Sequence, residues 1–167
     1  DVEKECMVNK GVLFEETSEK RFIPRAVCVD FDRRSLDSAK AERIYGIESF
    51  LVRGDGYGGT GNCWAKGFLS EGLEIIDDVM EIVRKQVERC DCFNGFQMLH
   101  SIGGGTGSGF GSLLLSKLRE EFPSKLNWNF TVFPSERMSD SPLEWYNCVL
   151  SIEPLIENSD LVVCFDN

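Results

Sequence analysis

Phe96–Gly109, FQMLHSIGGGTGSG, is the stretch that decides the fold. Its first half is an apolar run that reads as a strand over Phe96–Ile102. Its second half, Gly103–Gly109, holds five glycines in seven residues, which removes the Cβ atoms that would keep a ligand away from the backbone. Leu113, Leu114 and Leu118 then recur at helical spacing and predict a helix from about Ser108 to Phe122 with those leucines inward. The start of such a helix presents unpaired N–H groups and the positive end of its dipole, favouring an anion by roughly 0.3–1 kcal/mol. A strand, a glycine loop and a helix in this order suit a phosphate. A plain flexible turn is the other reading that so many glycines permit.

Outward from the loop, short apolar runs alternate with amphipathic segments. Ala26–Phe31 (AVCVDF) reads as a strand ending in acid, and Trp128–Phe133 and Leu161–Phe165 read as further strands. Ser70–Cys90 reads as a helix capped by Ser70, with Leu73, Ile76, Met80, Val83 and Val87 stepping by three or four, and Pro142–Ile156 reads as another. Strands separated by helices of this length predict an α/β fold: a three-layer, Rossmann-like parallel sheet with helices on both faces. Such sheets bind ligands beyond the carboxyl ends of their strands. The candidate residues collect there: Asp30 and Asp32, Gly103–Gly109, Ser135–Glu144, and Asp166–Asn167.

Two common phosphate motifs are excluded by spacing. A Walker loop ends in Gly-Lys-Ser/Thr, but no lysine follows these glycines before Lys117. The G-x-G-x-x-G pattern fails in every register, meeting Ser108, Phe110, Ser112 and Leu114 where its last glycine belongs. That failure also disfavours a dinucleotide-dependent oxidoreductase.

Composition narrows the function class. The chain has 167 residues, 42% apolar and 28% charged, which suits one globular domain. Twenty-eight acidic residues against 18 basic ones give a net charge of −10, disfavouring a general nucleic-acid binder. No apolar run approaches the roughly 20 residues that span a bilayer, so no membrane role is expected. The acidic, polar Asp1–Lys10 does not read as a secretory signal. The seven cysteines show no C-x-x-C spacing, which predicts reduced thiols in a cytosolic protein rather than disulfides or a zinc site. The single histidine, His100, lies in the apolar run before the glycines and reads as a satisfied core residue rather than a catalytic one.

GGGTGSG, together with CDCFNGFQMLHS (Cys90–Ser101), LLSKLREEFP (Leu114–Pro123), PRAVCVDFD (Pro24–Asp32), WAKG (Trp64–Gly67) and VVCFDN (Val162–Asn167), resembles the tubulin family. The resemblance runs from about Phe22 to the last residue. It leans to the β type, with γ-like stretches at Val132-Phe133-Pro134 and Met138-Ser139-Asp140. It implies a cytoplasmic, cytoskeletal GTP-binding subunit that polymerises with other tubulin subunits into microtubules, with nucleotide and magnesium held at a longitudinal contact. Ser101, Gly103, Gly104, Gly105, Thr106 and Gly107 match the phosphate loop. Asp30 and Asp32 match the acids beside the terminal phosphates and their Mg2+; two carboxylates beside a triphosphate make sense only with a bridging cation. Gly59, Thr60, Gly61 and Asn62 match the loop that senses the γ-phosphate. Asp140 and Glu144 match the ribose contacts, and Asn167 the asparagine that reads the guanine edge. A side chain at Gly105 is expected to fill the phosphate path.

This sequence departs from the family at several points. Cys63 stands where a second asparagine is common, Gly54–Gly59 is unusually glycine-rich, and Trp145 replaces a proline. Arg33-Arg34-Ser35 stands where proline and glycine are usual. The family's opening strand and its glutamine-containing loop have no counterpart, nor do the later domains. Residues 1–167 are therefore expected to be a partial GTP-binding domain of a longer protein, incomplete at both ends. The acid that activates water in a tubulin polymer comes from a later loop of the adjacent subunit, so this segment alone is not expected to hydrolyse GTP. A specialised, non-polymerising tubulin acting as a binding or templating module is the alternative.

Overall fold

Residues 11–42, 44–46, 49–52, 59–135 and 141–167 are described by the structure, a computed structural model. Phe14–Glu16 (β1) and Phe22–Pro24 (β2) pair antiparallel. Cys28–Asp30 (β3) and Phe50–Val52 (β4) pair in parallel, with helix α1 (Arg33–Ala41) between them in the chain. The remaining strands, Gly95–Ser101 (β5), Leu126–Phe133 (β6) and Leu161–Asp166 (β7), form a second parallel sheet in that order. Helices α2 (Glu71–Glu88), α3 (Gly111–Glu121) and α4 (Leu143–Asn158) complete the architecture. Among the described residues β3 and β5 share no ladder. No helix among them is long and apolar enough to cross a membrane.

The parallel α/β reading holds, and each predicted strand forms within one or two residues of its expected bounds. Phe96 and Met98, two apart on β5, project to one face. Phe96 meets the core of Ile75, Val79, Met80, Phe110, Leu113 and Leu118, whereas Met98 meets Ile102, Leu115, Cys148 and Leu155. Phe31, just past β3, joins the first core edge-on to Phe110 at 5.6 Å, which fastens the smaller sheet to the larger one. Arg119 on α3 donates to Asn158 O (3.0 Å) and Asp160 Oδ2 (2.8 Å), fixing the turn from α4 into β7.

On β6 the polar residues face inward. Asn127, Asn129 and Thr131 are buried on the helix-facing side, with Asn127 Nδ2 donating to Asn158 O and Asn129 Nδ2 to Ser159 Oγ. The intervening Trp128 and Phe130 align with Gln97 and Leu99 of β5 and with Leu161 and Val163 of β7 on the opposite face, where Leu99 is 75% exposed. Helices α2, α3 and α4 cover one face of this sheet. The described residues place no helix against the other.

Two helix starts differ from expectation. Lys66–Ser70 and Thr106–Phe110 are single π-helical turns that run directly into α2 and α3. Ser70 therefore lies inside continuous helix and makes no side-chain cap bond. The inward position in the first turn of α2 is Gly72, not Leu73, which is 53% exposed; Ile75 and Val79 take up the stripe below it.

Candidate functional site

At the carboxyl end of β5, Ile102 is fully buried and donates its N–H to Val132 O, anchoring the chain before the glycines begin. Gly103 N–H then donates to Ser101 Oγ (3.3 Å). The carbonyl of Gly104 accepts from the Ser108 N–H and hydroxyl, so the helix is already under way and the N–H groups after Gly104 stand at its positive end. Gly104 faces open space, its nearest neighbour in the Cβ direction being Asn62 Oδ1 at 3.9 Å, whereas Gly105 faces the protein. A Cβ on Gly105 would strike Thr60 Oγ1 and lie 2.7 Å from Cys63 N. The loop thus opens outward at Gly104, while Gly103 is buried beside Glu144 and Gly105 packs against the 59–63 loop.

His100 fastens the return of the loop. Its Nδ1 lies 2.7 Å from Gly107 O, and a carbonyl only accepts, so Nδ1 carries the proton. Nε2 is then the acceptor for Thr131 Oγ1 at 3.3 Å. Burial pushes the imidazole below its ordinary value, outweighing the carbonyl of Gly107, which pulls the other way. This is the satisfied core histidine that the sequence predicts. Because the folded pKa is depressed, the unfolded chain binds the proton first as pH falls. The contribution is complete above the ordinary 6.5 and declines below it until the folded pKa is reached. Melting curves from pH 7.5 to 5.5 should fall more steeply for the native protein than for His100→Gln; parallel curves would contradict this.

The second loop reaches the first through hydroxyls. Gly59, Gly61 and Asn62 all have φ between 50° and 59°, so Gly59–Asn62 is a tight left-handed turn, with Thr60 buried inside it. Thr106 Oγ1 donates to Asp30 Oδ1 (3.2 Å), which leaves the Thr60 hydroxyl, 3.5 Å away, to donate to Thr106. Asp30 Oδ1 also accepts the Asp32 N–H. The end of β3, the glycine loop and the 59–62 turn are joined in this way.

Asp32 is committed elsewhere. It caps α1 by accepting the Arg34 N–H (3.0 Å), and the Arg34 guanidinium takes Oδ1 at 3.3 Å and Oδ2 at 3.0 Å. The hydrogen bonds from Arg34 hold the Asp32 carboxyl below its usual range. In the structure the Asp32 carboxylate is paired with the exposed Arg34, whereas Asp30 Oδ1 meets the glycine loop. No cluster of three or more His, Cys, Asp or Glu side chains suited to a metal occurs among the described residues.

Asn147 is the residue that sequence reasoning missed. Buried on the inward face of α4, it donates through Nδ2 to Asn62 O (2.9 Å) and Gly103 O (2.8 Å), and its Oδ1 accepts the Trp64 N–H (3.0 Å). Its sequence signal is polarity where a helix interior should be apolar: Asn147 and Ser151 share one stripe with Cys148 and Leu155. One turn earlier, Glu144 reaches the glycine loop, its Oε2 lying 3.5 Å from where a Cβ on Gly103 would stand. Asp140 lies outside the described residues, as do residues 53–58 of the glycine-rich stretch. Asn167 is exposed, one residue past β7 on the same carboxyl edge.

The family described as "Tubulin/FtsZ family, GTPase domain" matches residues 2–167. The chain belongs to this family. Similar curated proteins include "Tubulin beta chain, nucleomorph" of Guillardia theta and "Tubulin beta chain" of Porphyra purpurea, each 48% identical over 93% of this chain. "Tubulin beta-1 chain" of Mus musculus is 47% identical over 94% of it. The chain spans about a third of their length: 35%, 34% and 35% respectively. Within this tubulin-type GTPase domain, the glycine loop, the 59–62 turn, Asp30 and Glu144 lie together, and Asp32 stands beside them with its N–H on Asp30 Oδ1 and its carboxylate on Arg34.

Proposed function

We propose that this chain is the guanine-nucleotide-binding part of a tubulin-type polymer subunit, cytoplasmic and cytoskeletal, holding GTP or GDP at a longitudinal subunit contact in microtubules. The observation that carries the reading is the open side of Gly104 at the start of a helix, bordered by Asn62 and next to Gly103, which Glu144 covers, in a loop with no Walker lysine. Backbone N–H groups and the helix dipole supply the phosphate's partners there. Glu144, with Asp140, is suited to the ribose hydroxyls because a carboxylate accepts from both. Asn167 offers a donor and an acceptor to the guanine edge. The similarity to β chains favours a polymer subunit over a specialised templating module.

The family implies a magnesium ion, which when bound neutralises charge on the terminal phosphates. Asp30 fits as a single carboxylate attachment beside the loop, because both its contacts use Oδ1. Asp32 fits only once Arg34 releases it. Hydrolysis is assigned to the assembled polymer, where a neighbouring subunit supplies the acid. The test is to release and identify the nucleotide carried by the complete purified protein. GDP or GTP near one per chain is expected. Protein that carries no nucleotide and takes up no added GTP would end the reading.

A further inference from the structure

Three of the four hydrogen-bonding capacities of the Asn147 amide go to backbone atoms of two different loops. Two hold the end of the 59–64 segment, at Asn62 O and Trp64 N, and the third holds Gly103 O of the glycine loop. The residue is 4% exposed, so water does not replace these bonds when one is lost. The same loops meet again where Gly105 packs on Thr60 and Cys63. They are therefore pinned at two points, one of which is a side chain of α4.

We propose that Asn147 is a positioning residue that makes the 59–64 segment, the glycine loop and the start of α4 respond to the terminal phosphate of a bound nucleotide as one body. The inference rests on the nucleotide reading above. If the outward loop atoms meet the β- and γ-phosphates, a shift of Asn62 toward a γ-phosphate pulls on Asn147 through its carbonyl, and Asn147 carries the shift to Gly103 and α4. Without the amide the loops still meet at Gly105, so phosphate contact survives while the response to the third phosphate is lost.

The test is the affinity of the complete protein for fluorescent GTP and GDP analogues, in the native form and in Asn147→Ala. The native protein should prefer one nucleotide by about tenfold or more, and the variant should bind both with affinities within about threefold of each other. Should Asn147→Ala fail to fold, Asn147→Asp serves: it keeps the size and the acceptor for Trp64 but loses both donors. An equal loss for both nucleotides, with the preference intact, would show a merely structural role and overturn the proposal. So would a native protein that binds the two equally. A native protein that binds neither would overturn the nucleotide reading itself.

Discussion

Gly105→Ala is expected to lower nucleotide affinity by at least about a hundredfold, with a fall in melting temperature, while Gly104→Ala changes stability little. A Cβ on Gly105 would collide with Thr60 Oγ1 and approach Thr60 Cβ at 2.8 Å and Cys63 N at 2.7 Å. Two of these atoms belong to a buried threonine and one to the backbone, so none is the free end of a flexible side chain. Relief requires the two loops to part, and overpacking of this kind costs about 1–3 kcal/mol or more. Parting them also pulls Thr60 from Thr106, and so from Asp30. The sequence suggests a different cause, a side chain blocking the phosphate; in the structure that outward role belongs to Gly104. Titration with a fluorescent guanine nucleotide alongside thermal melting separates the two. Lost binding with an unchanged melting temperature in Gly105→Ala would contradict the packing account.

Asn167→Ala is expected to weaken GTP by roughly 10- to 100-fold and to leave the much weaker binding of ATP unchanged. An amide that pairs with both a donor and an acceptor on a purine edge leaves them unpartnered when it is removed, which costs about 1–3 kcal/mol if the base is buried. Asn167 is exposed and follows a strand whose Asp166 pairs with Phe133 of β6, so its removal should not disturb the sheet. Competition titrations with GTP and ATP on the complete protein measure this directly. Equal losses for the two would remove the guanine assignment.

The strands and helices were legible because they rest on local periodicity. Phe96–Ile102, Trp128–Phe133 and Leu161–Phe165 needed only a run of apolar and β-branched residues. The glycine loop was legible because its composition admits few other uses. The failures share a different physics. A π-helical turn adds a residue to the helical repeat without changing the composition, so Ser70 read as a cap and Leu73 as core. The Asn147 clamp depends on Asn62, 85 residues away, and nothing near Asn147 in the chain announces that partner. Arg34 beside Asp32 was visible as an unusual residue, but that it occupies both carboxylate oxygens is a fact of side-chain geometry. On β6 the strand itself was legible, whereas the inward placement of its asparagines answers to the carbonyl of Asn158 and the hydroxyl of Ser159.

The two π-helical turns touch through glycines. A Cβ on Gly109 would lie 3.0 Å from the Gly67 Cα, and one on Gly67 would lie 2.8 Å from Phe110 N. Contact between bare backbones has no side chains to act as springs. The spacing of the two turns is therefore fixed by backbone contact, and a side chain at Gly67 or Gly109 would force them apart.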